Sequence, residues 1–159
     1  MKEPAKIIGR SELVNFPEQG LLSVAARIDT GAKTSSIWAS NIVETDGQLR
    51  FTLFDTASDH YTGTVYEARN YALKVVASSN GISEERYVVK LLLVLAGRKI
   101  RARFTLANRS AQAYPVLVGR NVLRGKFLVD VTRGQPLLDQ ERKRSKVLQS
   151  QLRDRKEQA

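Results

Sequence analysis

Apolar and polar residues alternate in several stretches of this chain, and alternation with a period of two is the signature of a half-buried β-strand. It is cleanest over residues 48–54, where Leu49, Phe51 and Leu53 share one face and Gln48, Arg50 and Thr52 the other. It recurs over 99–106, with Ile100, Ala102, Phe104 and Leu106 against Lys99, Arg101, Arg103 and Thr105. Further strands are expected over 6–14, 21–28, 70–78, 84–95 and 126–131, with another strand-like stretch around Trp38. An apolar strand from Tyr114 runs into Gly119-Arg120-Asn121 and a short helical turn. Turn residues punctuate the strands: Phe16-Pro17-Glu18-Gln19-Gly20, Asp46-Gly47, Ser79-Asn80-Gly81, Ala96-Gly97-Arg98 and Gly125. Asp-Gly and Asn-Gly mark hairpins because both partners tolerate positive φ. The tip at 79–81 either covers a groove or is a plain surface hairpin. Past Arg133 the pattern stops. Gly134-Gln135-Pro136 breaks the chain, and 139–159 is polar and charged, with only Val147, Leu148 and Leu152 as a thin apolar stripe. The expected organisation is a mostly antiparallel β domain over 1–133 and a helical or disordered tail over 134–159, outside the core.

Composition narrows this picture. A chain of 159 residues allows one domain with a modest core. Cysteine is absent, which excludes a disulfide framework and any Cys-based metal site and fits a reducing cytoplasm. The longest apolar run, 91–96, is strand-sized, and the start has no signal-peptide pattern, so a cytoplasmic protein without a membrane span is expected. Lys plus Arg number 26 against 16 Asp plus Glu, a formal charge of +10, which favours acidic partners. By composition nucleic acid ranks first among them. The basic residues are spread along the chain, however, and no motif that reads RNA or DNA appears, so nucleic acid is not favoured.

The chemistry centres on RIDTGAKTSSIWASNIV, residues 27–43. The strand over 21–28 delivers Asp29 to a sharp turn, Thr30 offers a hydroxyl, and Gly31 lets a backbone or substrate come close. Asp-Thr-Gly alone is more often an ordinary turn. Its weight comes from the downstream YPVLVGRNVL, residues 114–123. Together the two segments resemble the retropepsin-like aspartic peptidases, in which such a loop packs beside a strand ending in an apolar-apolar-Gly motif and a short helix. IGRSELVNFPEQGL, RIDTGAKTSS, SSNGISEERYVVK, TLANRS and VLVGRNVLRGKFLVDV bring the chain closer to one branch, the RimB-like family, over nearly all of residues 7–133.

The resemblance implies an all-β fold, a closed antiparallel retropepsin-like barrel with a short helix after the Gly-Arg-Asn motif. It implies an aspartic endopeptidase with Asp29 as the catalytic acid, supported by Thr30, Gly31 and Ala32. It also implies an acidic substrate, a C-terminal poly-glutamate tail on a ribosomal protein, which the positive charge fits independently. Hydrolysis by paired carboxylates needs one ionised to activate water and one protonated to stabilise the oxyanion. The chain has one Asp-Thr-Gly, so the second acid must come from another copy, and a homodimer is expected.

Lys33 departs from the general retropepsin pattern and is either solvated or turned toward acidic substrate. Arg86 and Arg109 are candidates for binding substrate carboxylates, since arginine grips a carboxylate in bidentate fashion. Arg120 is expected as a structural brace, and Asp130 as a structural partner ahead of a second catalytic acid. Trp38 reads as core packing ahead of substrate stacking. The basic face of 99–106 is either solvated or lines a groove.

The RimB-like branch also bears the label "ATP-dependent zinc protease". The residues give that label no footing: His60 is the single histidine, there is no His-Glu-x-x-His helix, and no phosphate loop ends in Gly-Lys-Ser or Gly-Lys-Thr. No metal and no cofactor are expected. The rival from another class is a non-catalytic binding module that holds acidic tails or RNA.

Overall fold

The computed structural model describes residues 2–77 and 81–159. Strands β1 (Lys6–Ile8) and β2 (Ser11–Phe16) replace the single strand expected over 6–14. A 3-10 turn at Pro17–Gln19 leads into β3 (Leu21–Ile28), and the Asp29 loop separates β3 from β4 (Ser35–Thr45). Then come β5 (Gln48–Leu53), β6 (Val65–Ala68), β7 (Tyr71–Ala77), β8 (Ser83–Leu95) and β9 (Arg98–Ala107). After a loop follow β10 (Val116–Val118), helix α1 (Arg120–Leu123), β11 (Phe127–Val129) and helix α2 (Leu138–Glu157). The hairpin tip expected at 79–81 lies mostly outside the described residues. Strand β6 was not expected: it is short and only half-buried.

The expected antiparallel barrel is corrected to a mixed sheet. Nine strands form one sheet, in which β10, β3, β2, β8, β9 and β4 follow one another and β4 meets β10 again, so that these six make a ring. Strand β10 is parallel to β3 and antiparallel to β4, while β4 and β9 are parallel. The geometry of the Asp29 loop requires this mixture. Its two arms run in opposite directions, so a strand inserted between them must be parallel to one. Strands β5 and β6 extend from β4, and β7 from β8. Strand β1 leaves the main sheet and pairs in parallel with β11.

The core follows the alternation of the sequence. Leu49, Phe51 and Leu53 are buried, as are Ile100, Ala102, Phe104 and Leu106, whereas Lys99, Arg101 and Arg103 face out. Thr52 and Thr105 depart from the pattern and are buried. Thr52 Oγ1 donates to the Ser40 carbonyl, and Thr105 Oγ1 donates to the Ser35 carbonyl, so both buried hydroxyls have partners. Phe16 meets Phe104 edge-on at 5.5 Å, and Trp38 meets Phe54 edge-on at 6.1 Å. Trp38 is a buried core residue. At the β4–β5 hairpin, Asp46 and Gly47 have φ of 51° and 72°, the two positive values that a tight two-residue turn requires.

The expected tail is a 20-residue helix with no buried residue. It is nevertheless tied to the domain: Gln135 N–H donates to the Ser11 carbonyl, and the first turns of α2 contact Arg10 and Tyr114. Among the described residues no helix is long and apolar enough to cross a membrane.

Candidate active site

Asp29 sits where β3 leaves the sheet, half-buried. Its backbone N–H donates to the Val118 carbonyl at 2.9 Å, so the last ladder bond of β10 sets the position of the acid. Its Oδ1 accepts the Gly31 N–H at 2.9 Å, and the Ala32 N–H returns to the Asp29 carbonyl at 3.3 Å. Gly31 and Ala32 thus shape the turn, while Thr30 stands exposed at its tip.

The Gly119-Arg120-Asn121 segment clamps this loop. Arg120 N–H donates to the Ala32 carbonyl at 2.8 Å, and its guanidinium donates to the carbonyls of Thr30 and Gly31 at 3.2 and 2.8 Å. Asn121 N–H donates to the Lys33 carbonyl, and Asn121 Nδ2 donates to the Arg103 carbonyl. Ser35 Oγ accepts the Gly119 N–H at 3.0 Å and donates to Asn121 Oδ1 at 2.8 Å. Gly119 is needed for space: a Cβ there would lie 2.5 Å from the Thr34 oxygen and 2.9 Å from that of Ala32. Its φ of −98° suits any residue.

Several arginines cluster around Arg109. Arg109 is half-buried, and its Nε donates to the Tyr114 carbonyl at 3.0 Å. Desolvation, then the charges of Arg86, Arg27 and Arg144, lower its pKa to about 10, with Asp29 acting the other way. Arg109 therefore stays cationic at neutral pH, with Arg86, Arg27, Arg144 and Asp29 all near enough to act on its charge. Arg86 also forms an ion pair with Glu84. Arg109 lines a cavity of about 330 Å³ with Arg10, Arg27, Tyr114, Glu141 and Arg144. Arg27 was not singled out from the sequence, although it precedes Asp29 by only two positions, at the end of β3. Arg10 and Glu141 lie 131 residues apart and left no signal in the pattern.

The other expected residues stand elsewhere. Lys33 is exposed and lines a second cavity, of about 410 Å³, with Arg120, Asn121, Arg124 and Lys126. Asp130 is not the partner of Arg120. Its carboxylate accepts from the N–H and hydroxyl of Thr132 at 2.9 and 2.6 Å and lies 3.7 Å from Arg133, contacts that hold its pKa below the usual carboxylate range. The brace therefore uses backbone carbonyls rather than a carboxylate. The His60 ring lies 5.5 Å from that of Phe54. Among the described residues no group of three or more His, Cys, Asp or Glu converges to hold a metal ion.

Residues 7–136 match the family model described as RimB-like, "Retropepsin-like aspartic endopeptidase RimB". A stretch of 134 residues is 35% identical to a probable alpha-L-glutamate ligase of Shewanella pealeana, covering 82% of this chain and 29% of that protein. A probable alpha-L-glutamate ligase of Desulfotalea psychrophila is 34% identical over 129 residues, 79% of this chain and 28% of its own length. The chain thus spans less than a third of the length of these curated relatives. Among solved structures, a Legionella pneumophila protein of unknown function superposes with a TM-score of 0.63 at 30% identity, covering 81% of this chain and 95% of that one.

Proposed function

Because the chain belongs to the RimB-like family of retropepsin-like aspartic endopeptidases, we propose that it hydrolyses peptide bonds in acidic, glutamate-rich substrates, using the Asp29 carboxylates of two subunits. The observation that carries this reading is Asp29 on a loop clamped by Arg120 and Asn121, with Arg109 near enough for its charge to interact with that of Asp29.

One Asp29 carboxylate, ionised, takes a proton from a water as that water attacks the scissile carbonyl. The other, protonated, donates a hydrogen bond to the carbonyl oxygen as negative charge develops and then helps protonate the leaving amine. Two carboxylates at about 3 Å do not both ionise readily, so the proton they need is held by the pair. In this arrangement Thr30, exposed at the loop tip, meets its counterpart across the two-fold axis. Arginines beside the acid bind side-chain carboxylates of the substrate through paired N–H donors. Relatives named as probable alpha-L-glutamate ligases contain a matching stretch, which supports a glutamate tail as the substrate. A tail at the C-terminus of a ribosomal protein is the specific form proposed.

The test is mass spectrometry of a peptide ending in several glutamates, incubated with the wild-type chain and with Asp29→Asn. The wild type shortens the peptide, and Asp29→Asn slows this by roughly 10²–10⁴-fold. Full activity in Asp29→Asn refutes the mechanism. Binding of the peptide without cleavage by either protein favours a module that only holds acidic tails.

A further inference from the structure

A cavity lined in part by Arg27, two residues before Asp29, holds more positive charge than its own carboxylate neutralises. It lies between the loop that leads to β10 and the first turns of α2, and four arginines line it: Arg10, Arg27, Arg109 and Arg144. One carboxylate faces them, that of Glu141. Arg10 donates to its two oxygens at 2.9 and 3.4 Å, and the Tyr114 hydroxyl donates to Oε1 at 2.6 Å. This is a forked, charge-assisted grip, the form in which arginine binds carboxylates most strongly. Arg144 donates to the Ala111 carbonyl, and Arg109 uses its Nε on Tyr114. Among the described residues neither Arg27 nor Arg109 is in an ion pair with a carboxylate. The cavity therefore has cationic donors for a carboxylate beyond the one it holds, and one of its arginines, Arg27, lies at the end of β3 two residues before Asp29.

The carboxylate already held at the cavity wall is that of a glutamate, the same group an acidic substrate would bring. We propose that this cavity is a recognition subsite for a substrate glutamate, and that Glu141 on α2 is its internal occupant and competes with the substrate. The proposal rests on the acidic-substrate reading above. Helix α2 then acts as a tethered plug: its first turn seats on Arg10 and Tyr114 when substrate is absent and yields when an incoming carboxylate engages Arg27 and Arg109.

The test is the affinity of a fluorescent tetraglutamate peptide for the full chain carrying Asp29→Asn, in which turnover is removed. Within that background, Glu141→Gln is compared with Asp154→Asn, the same change of charge on the exposed distal part of α2. The expected results are binding roughly tenfold tighter for Glu141→Gln, little change for Asp154→Asn, and binding roughly tenfold weaker for Arg27→Ala. Glu141→Asp draws the carboxylate back by one methylene and falls between parent and Glu141→Gln. Hydrogen exchange over 138–148 reports whether α2 stays seated in each variant. Equal gains from Glu141→Gln and Asp154→Asn reduce the effect to net charge and overturn the plug. Binding indifferent to both Glu141 and Arg27 overturns the subsite while leaving the acidic-substrate reading intact. Absence of tetraglutamate binding in every variant, the parent included, overturns both.

Discussion

The Asp29 loop makes two hydrogen bonds of its own, from Gly31 to the carboxylate and from Ala32 to the Asp29 carbonyl, and is otherwise held by residues about ninety positions away. Gly119 is where the two segments come closest. Gly119→Ala would force a methyl to 2.5 Å from a carbonyl oxygen that is part of the loop, and neither backbone can move without shifting Asp29. The expected outcome is a loss of about 1–3 kcal/mol in denaturant unfolding, with peptidase activity falling further than stability does. Arg120 is a different case. It is exposed and bridges two carbonyls through one terminal nitrogen, so it restrains the loop more than it stabilises the fold. Arg120→Lys keeps the charge but loses the planar guanidinium. Activity should drop by roughly tenfold or more, with a melting temperature close to that of the wild type; a large drop in melting temperature with unchanged activity would contradict this.

Helix α2 has no buried side chain, and its apolar residues Val147, Leu148 and Leu152 are exposed. Its seat therefore depends on a few polar contacts near its start. Tyr114 is buried with its hydroxyl between the Leu137 N–H, which it accepts, and Glu141, to which it donates. The Arg10 guanidinium, and then the Tyr114 hydroxyl, hold the Glu141 pKa below its ordinary value of 4.5. A lowered carboxyl pKa means a contribution that is complete above the ordinary glutamate range and is lost as pH falls through the lowered folded value. Protection factors over 138–148, corrected for the intrinsic pH dependence of exchange, should therefore fall at acidic pH more than those in β8 and β9. Glu141→Gln should flatten that dependence. If the helix loosens equally with pH in both proteins, Glu141 is not the group that anchors it.

For the whole molecule, the decisive expectation is that one chain carries half of the reacting pair. Wild type mixed and exchanged with Asp29→Asn should lose activity as the square of the wild-type fraction, to about a quarter at equal amounts, because a mixed dimer holds one functional carboxylate. A linear loss would mean that each chain acts alone. The net charge of +10 acts on the same complex from a distance. Added salt should raise KM for a glutamate peptide while changing kcat little, since screening weakens encounter and exposed ion pairs before it touches a buried reaction.

Strands β5 and β9, the Asp46-Gly47 hairpin and the delivery of Asp29 to a turn were all legible in the sequence, for one reason. Side-chain direction in a strand repeats every two residues, and turn chemistry resides in the turn residues themselves, so both are local properties. Strand β6 escaped because it is short and half-buried, which leaves little apolar contrast. The insertion of β10 between β3 and β4 pairs Val116 with both Ala26 and Ile37, and no local pattern encodes which distant strands will meet. The same limit hid the cavity: Arg10 and Glu141 are ordinary charged residues in the sequence, and only the fold brings them across 131 positions into contact. Asp29 was thus legible as a candidate acid from two short segments, residues 27–43 and 114–123. Its rigidity and its cationic surroundings arise from long-range pairing, which forms only when the whole sheet closes.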